Sequence, residues 1–203
     1  MTVSKHAAPP TPPSRLDVGR DDRLATRIKS LIRMVPDFPI PGIRFRDVMG
    51  LVEDADGFRA ATEALARRFR AAAPEVVVGI EARGFIFGVP VAQELGVGFV
   101  AVRKAGKLPG EVTGADYDLE YGSARLEMQA LAPISAGTRV LLIDDLLATG
   151  GSAAAAIELI RGMGGDVVGA GFVVDLPELP GAERLRQLGV EMFALCEFLE
   201  DED

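Results

Sequence analysis

At 203 residues the chain is sized for one α/β domain with some trimming, since domains commonly run to about 100–200 residues. Its net charge of −8 and pI near 4.8 argue against a nucleic-acid backbone as the main partner, because phosphate contacts need a basic face. No apolar run approaches the roughly 20 residues of a membrane span, and one cysteine (Cys196) with one histidine (His6) excludes an intrachain disulfide, a Cys-rich or multi-His metal centre and a Ser-His-Asp triad. A small phosphorylated ligand stays open, because it needs only a local cluster of cations and backbone N–H groups. The chemistry therefore falls to carboxylates, Lys and Arg side chains, and backbone.

Residues 1–20 are rich in Pro, Ala and Ser without apolar periodicity and read as a disordered tail; 21–203 reads as a single domain. The tail has neither the apolar segment of a signal peptide nor the arginines of a transit peptide, which makes the cytoplasm the expected location. "DDRLATRIKSLIRMV" sets Leu24, Ile28, Leu31, Ile32 and Val35 on one helical face. Pro36, Pro39 and Pro41 end that helix and predict a stiff extended arm, "PDFPIPGIRFRD". A second helix is expected over about 55–71, with Phe58, Thr62, Leu65 and Phe69 in phase.

From there the pattern alternates. "VVVGI" (76–80) is a buried strand, "GFIFGVPVAQEL" a helix and "GFVAVR" (98–103) a strand. Residues 104–115, with their glycines, Pro109 and charges, read as a long mobile loop, and "DYDLEYGSARLEMQ" as two antiparallel strands around Gly122-Ser123. "RVLLID", a helix at about 152–162, "DVVGAGFVVD", a short helix near 182–188 and "EMFALCEF" follow. Such repetition predicts a doubly wound, mainly parallel sheet flanked by helices. Ligands of these sheets bind outside the carboxyl ends of the strands, so the residues after Ile80, Val102 and Ile143 matter most.

Each of those positions carries unusual chemistry. "VLLIDDLLATGGSAAAA" runs four apolar residues into Asp144 and Asp145, then into Ala148, Thr149, Gly150, Gly151 and Ser152. Two adjacent like charges at a strand end cost free energy unless polar or cationic groups meet them. The small-residue loop leaves N–H groups open before a helix start, which suits a phosphate, and ionised aspartates suit ribose hydroxyls beside it. It is not a Walker A loop, since no Gly-Lys-Ser/Thr stands at the required spacing. In "GIEARGFIFG", Arg83 follows a strand between small Ala82 and Gly84; alone it reads as a surface arginine of a βα loop. Arg103, Lys104 and Lys107 cluster cations at the next strand end, in a loop able to close over a ligand. "FPIPGIRFRD" offers Phe45 as a flat apolar surface between Arg44 and Arg46, or as a core residue of a linker. "GVGFVA" (96–101) matches a dinucleotide fingerprint but leads into a strand instead of following one, and fails that test.

"VLLIDDLLATGG" resembles the phosphoribosyl-pyrophosphate signature of type I phosphoribosyltransferases, and the likeness spans about residue 24 onward in four motifs. It implies the fold of that family, with a small N-terminal hood (about 21–50) and a flexible β-hairpin loop. It implies Asp144 and Asp145 for the ribose hydroxyls and Ala148 through Ser152 for the 5′-phosphate. Ala82 and Arg83 fall in its pyrophosphate loop, where a non-proline cis peptide is common. "RKAGKLPGEVTGADYDLEYG" is similar to the catalytic loop of the adenine-specific branch. On that likeness Glu120 is the acid/base group near the purine, while Arg103, Lys104, Lys107 and Tyr121 serve the pyrophosphate. The arm stacks the purine on Phe45, with main-chain contacts from Arg44 and Arg46 and a further adenine contact from Leu146. Arg44 departs from the small aliphatic residue common there, which bears on purine selectivity.

The resemblance thus implies a salvage reaction from adenine and 5-phosphoribosyl 1-pyrophosphate to AMP and pyrophosphate. Mg²⁺ would be held mainly by substrate and water with no direct protein ligand, and the protein would be a homodimer with no nucleic-acid or membrane partner. A hypoxanthine, xanthine or orotate transferase would share the donor site and differ at 38–46 and 104–121. A non-catalytic sensor of phosphoribosyl pyrophosphate is the alternative of another class; it calls for a basic nucleic-acid-binding domain that the acidic sequence does not supply.

Overall fold

The structure, a computed structural model, describes residues 21–118, 123–200 and 202. Helix α1 (Asp22–Leu31) is capped by Asp21, whose carboxylate accepts from the N–H groups of Arg23 and Leu24. The predicted helix was to reach Val35, but it stops at Leu31, and β1 (Arg33–Pro36) takes over. Pairing overrides the helical period here: Val35 sits opposite Phe45 in an antiparallel ribbon with β2 (Arg44–Asp47). The expected extended arm is therefore a hairpin, closed through Asp37, whose carboxylate accepts from the Gly42 N–H at 2.7 Å. The short helix α2 (Met49–Glu53) gave no signal in the sequence, having five residues and no side-chain cap. The long helix α3 (Ala55–Phe69) and a 3₁₀ turn (Arg70–Ala72) match the second predicted helix.

The main sheet uses β3 (Val76–Ile80), β4 (Gly98–Lys104), β5 (Val112–Asp118), β6 (Ser123–Gln129), β7 (Arg139–Leu147), β8 (Asp166–Asp175) and β9 (Met192–Glu197). Its order is β5-β6-β4-β3-β7-β8-β9, parallel from β4 to β9, with β6 antiparallel to β4 and β5 antiparallel to β6. The predicted doubly wound, mainly parallel sheet is what forms. The expected antiparallel pair around residues 122–123 also forms, but the loop before it is shorter than predicted. Residues 112–115 belong to β5, where Gly114 lies under the Arg125 guanidinium, which also bonds Asp116 at 3.1 Å. A glycine in the strand interior, between Thr113 and Ala115, hid that strand in the sequence.

Strand alternation sorts the core into two layers. Val76, Val78, Val140 and Leu142 pack with helix α5 (Gly151–Gly162) and helix α6 (Gly181–Gln187). Val77, Leu141 and Ile143 pack on the other face with α1, α2, α3 and helix α4 (Arg83–Leu95). Because β3 crosses over to β4 through α4 and β7 crosses to β8 through α5, neighbouring strands β3 and β7 send their helices to opposite faces. A crevice opens between the two helix starts, the topological switch point of such sheets. Among the described residues no helix is long and apolar enough to cross a membrane.

Leu142 is wholly buried between the layers, so Leu142→Ala should cost about 2–5 kcal/mol in urea unfolding. Leu131, 94% exposed, provides the control: Leu131→Ala should stay within about 0.5 kcal/mol of the parent.

Candidate active site

β7 does not end at its acid pair as the sequence suggested. β3 last pairs with it at Gly79 opposite Ile143, whereas β8 accompanies β7 on to Leu147. Asp144 and Asp145 therefore stand on an overhang, supported by β8 on one side and open toward the crevice on the other. Asp145 is 4% exposed, and its partner is Arg83 from the first turn of α4, whose Nε donates to Oδ2. The Asp145 N–H donates to Asp144 Oδ1 at 2.9 Å. Burial first, and the adjacent Asp145 charge second, push the Asp144 carboxyl well above the usual carboxylate range. Gly84 makes this closeness feasible. A Cβ there would lie 2.9 Å from the Ile143 carbonyl oxygen and 2.7 Å from Asp144 Oδ1.

The loop after β7 is fixed from outside. Gly150 adopts φ +74° and starts α5 without a side-chain cap, so the first-turn N–H groups of that helix have no intrahelical partner. Gly181 holds the loop in place: its N–H donates to the Ala148 carbonyl at 3.0 Å, and a Cβ on it would fall 2.3 Å from that oxygen. The Leu176 N–H similarly bonds the Leu147 carbonyl at 3.0 Å. Gly181 escaped the sequence reading because it looks like an ordinary helix start after Pro180.

At the end of β3, Glu81 is the second residue that sequence reasoning missed. Its carboxylate accepts from Arg103 Nη2 at 3.0 Å, Lys107 Nζ at 2.8 Å and the Lys104 N–H at 3.0 Å. Burial alone would raise its pKa; hydrogen bonds from Arg103, Lys107 and the Lys104 N–H outweigh that and bring it down to about 2. Arg103 also donates to the Lys107 carbonyl at 3.0 Å. Two of the three predicted cations, Arg103 and Lys107, and the Lys104 backbone are thus gathered by one acid two residues before Arg83, a signal visible only once the strand ends are adjacent. The Glu81-Ala82 peptide is cis.

A cavity of about 500 Å³ joins these parts. Of the predicted site residues it is lined by Ala82, Arg83, Lys104, Lys107, Asp144, Asp145, Leu146 and the whole run Ala148 to Ser152, to which Glu81 and Tyr117 add themselves. Arg103 stands behind Glu81 and not in the wall. Phe45 reaches the site through Arg83, whose guanidinium carbon lies 5.4 Å from its ring centroid; Phe38 meets the same ring edge-on at 5.1 Å. Arg83, which the resemblance places in the pyrophosphate loop, lines the cavity and engages Asp145 and Phe45. The Arg44 and Arg46 side chains turn away to residues 198–202, which leaves their backbones as the groups available beside Phe45. Glu120 and Tyr121 lie outside the described residues.

Such an arrangement offers acceptors for hydroxyls, a backbone cradle and helix dipole for a phosphate, and cations for a second anion. The comparisons with known proteins agree with it. A family model, the phosphoribosyl transferase domain, matches residues 52–187. Adenine phosphoribosyltransferase of Methylobacillus flagellatus is 55% identical over 175 residues, covering 86% of this chain and 99% of that protein. The protein of the same name from Nitrosospira multiformis is 55% identical over 172 residues, covering 85% and 98%. Among solved structures, adenine phosphoribosyltransferase from Thermoanaerobacter pseudethanolicus superposes with a TM-score of 0.82 at 42% identity, covering 86% of this chain and 99% of that one. The Saccharomyces cerevisiae enzyme, crystallised with an imino-altritol bisphosphate and adenine, gives 0.80 at 40% identity, covering 86% and 99%.

The depressed Glu81 pKa carries a sign. Stability from its ion pairs is fully present above the unfolded value, about 4.3, and is lost as pH falls toward about 2. Glu81→Gln should therefore be less stable than the parent at pH 7, with the gap closing between pH 5 and pH 2. Chemical unfolding across that range measures it; a gap that stays constant with pH would remove the ion pairs as its source.

Proposed function

This chain belongs to the phosphoribosyl transferase family, and from its adenine-specific relatives we infer its reaction: adenine and 5-phosphoribosyl 1-pyrophosphate are converted to AMP and pyrophosphate. The observation that carries the reading is the juxtaposition in one cavity of the β7 acid pair, its glycine loop and the cations beside Glu81. Curated relatives matched over nearly their full length bear the adenine-specific name, which favours adenine over hypoxanthine, xanthine or orotate and over a non-catalytic sensor.

In this assignment Asp144 and Asp145 accept from the ribose 2′- and 3′-hydroxyls, and the backbone from Ala148 to Ser152 holds the 5′-phosphate at the start of α5. Ala82, Arg83, Arg103, Lys104, Lys107 and Tyr121 serve the pyrophosphate. Phe45 stacks the adenine, with Leu146 beside it and the Arg44 and Arg46 backbones at its edge. The bond from the anomeric carbon to the pyrophosphate oxygen breaks as the bond to the purine nitrogen forms, through a transition state of oxocarbenium character. Glu120 handles the purine N–H proton as acid/base group. The protein positions both reactants and neutralises the leaving group.

Mg²⁺ belongs to this proposal. Among the described residues no cluster of three His, Cys, Asp or Glu forms a cage for an ion. A cation that keeps its waters and uses substrate phosphates fits the Asp144–Asp145 pair as a water-mediated neighbour. When bound, it neutralises charge on the pyrophosphate. We extend the family reading to a cytoplasmic homodimer without nucleic-acid or membrane partners; exposed Phe38, Ile40 and Ile43 on the hairpin and Val89 on α4 offer apolar surface for pairing.

The reading predicts pyrophosphate release with adenine and none with hypoxanthine or guanine as acceptor. The double variant Asp144→Asn with Asp145→Asn should weaken donor binding about tenfold to a hundredfold in calorimetric titration, the scale of hydrogen bonds to charged groups. Parental affinity would sink the ribose assignment. Glu120→Gln should lower kcat by about 10²–10⁴ with little change in donor affinity; parental kcat would remove Glu120 from the chemistry.

A further inference from the structure

Among the described residues, the hairpin that carries Phe45 pairs with no strand of the main sheet. Two-stranded ribbons are marginal in water, so other contacts must fix its orientation over the site. Residues alternate across β2, which sends Phe45 to one face and Arg44 and Arg46 to the other.

That second face meets the segment after β9. Arg44 Nη1 donates to the Glu200 carbonyl at 2.7 Å. Arg46, 4% exposed, donates to the Glu202 carbonyl and holds its guanidinium carbon 4.3 Å from the Phe198 ring centroid. From α1, Lys29 Nζ lies 2.8 and 2.9 Å from the two Glu202 carboxylate oxygens and 4.9 Å from the same ring. Three cations of the hood thus converge on Phe198, Glu200 and Glu202, the two acids belonging to a run, Glu200-Asp201-Glu202-Asp203, that is wholly acidic in sequence. The stretch is itself tied to the main sheet. Phe198 is buried and its N–H donates to the Asp175 carbonyl at 3.1 Å, while the Glu200 N–H donates to the Glu178 carboxylate.

We propose that Phe198, Glu200 and Glu202 form a positioning strut for the purine platform: through Arg44, Arg46 and Lys29 they set the placement of Phe45, and so the affinity for adenine, without touching the base. This rests on the reading of Phe45 as the stacking surface. Cation–ring contacts and charge-assisted bonds to carbonyls are directional and suited to such a duty. The strut also accounts for arginine at 44. Its side chain is spent on the Glu200 carbonyl, so it does not approach the base edge that the backbone beside Phe45 serves.

The test separates substrate affinities in the full-length protein. Deletion of residues 199–203, and independently Arg44→Leu with Lys29→Met, should each raise the adenine KM about tenfold, one charged hydrogen bond's worth, and leave the donor KM within about twofold. Arg44→Lys, which keeps a cationic donor, should recover most of the loss. An unchanged adenine KM overturns the strut, and so do parallel rises in both KM values, which a general loosening of the fold would give. If the deletion fails to fold by circular dichroism, the double substitution decides. Phe45→Ala distinguishes the two levels. If it leaves the adenine KM unchanged, the stacking assignment fails; if it raises that KM while the strut variants do not, only the strut fails.

Discussion

A carboxylate buried where the strands of a sheet end needs a cation, and Arg83 supplies one to Asp145. Three pieces of chain meet in that contact. β7 brings the acid on its overhang, α4 brings the arginine in its first turn, and the hairpin lays Phe45 against the same guanidinium. Parting β7 from α4 leaves a desolvated charge behind, which is far costlier than the net gain of the pair. Gly84 permits the approach by bringing the α4 backbone onto Ile143 and Asp144. The proposed ribose acceptors and the proposed purine platform are thereby held in one frame.

One strand over, the same logic repeats with the signs rearranged. Glu81 leaves β3 as a single acid and draws Arg103 and Lys107 around it, while Asp144 and Asp145 leave β7 as a pair with one arginine. An acidic protein thus assembles a cation-lined wall and an acid-lined wall within one cavity. Net charge gave no hint of this, because it reports on long-range fields and not on which side chains share a strand end.

How much of this was legible depended on how local the signal was. The strands Val76–Ile80 and Asp166–Asp175 and helix α5 were plain, because uninterrupted apolar runs and their flanking turns mark them. The acid pair and its glycine loop were equally plain, since contiguous residues carry them. What escaped was set by distant partners. β1 formed where a helix was expected because Val35 found Phe45, and β5 began inside an expected loop because Gly114 found cover under Arg125. Glu81 and Gly181 looked ordinary in sequence, for their duties exist only when Arg103, Lys107 and Ala148 arrive from elsewhere. The resemblance supplied roles for Phe45 and Glu120 that neither periodicity nor spacing would have assigned.

The position of the cavity follows from connectivity before any side chain is considered. β3 and β7 are neighbours whose crossover helices leave to opposite faces, so the chain cannot fill the gap between the starts of α4 and α5. Both starts turn unsatisfied N–H groups and the positive ends of their dipoles toward that gap. A ligand with anionic groups at two ends of a sugar answers both at once, provided something uncharged by the dipoles fixes the sugar between them. The overhang of β7 places Asp144 and Asp145 beside both helix starts. Their adjacency, a liability in an ordinary strand, is met there by Arg83 and, in the proposed complex, by hydroxyl donors. The short β3 is therefore as necessary as the acids: had it paired three residues further along β7, the same aspartates would be sealed into the sheet.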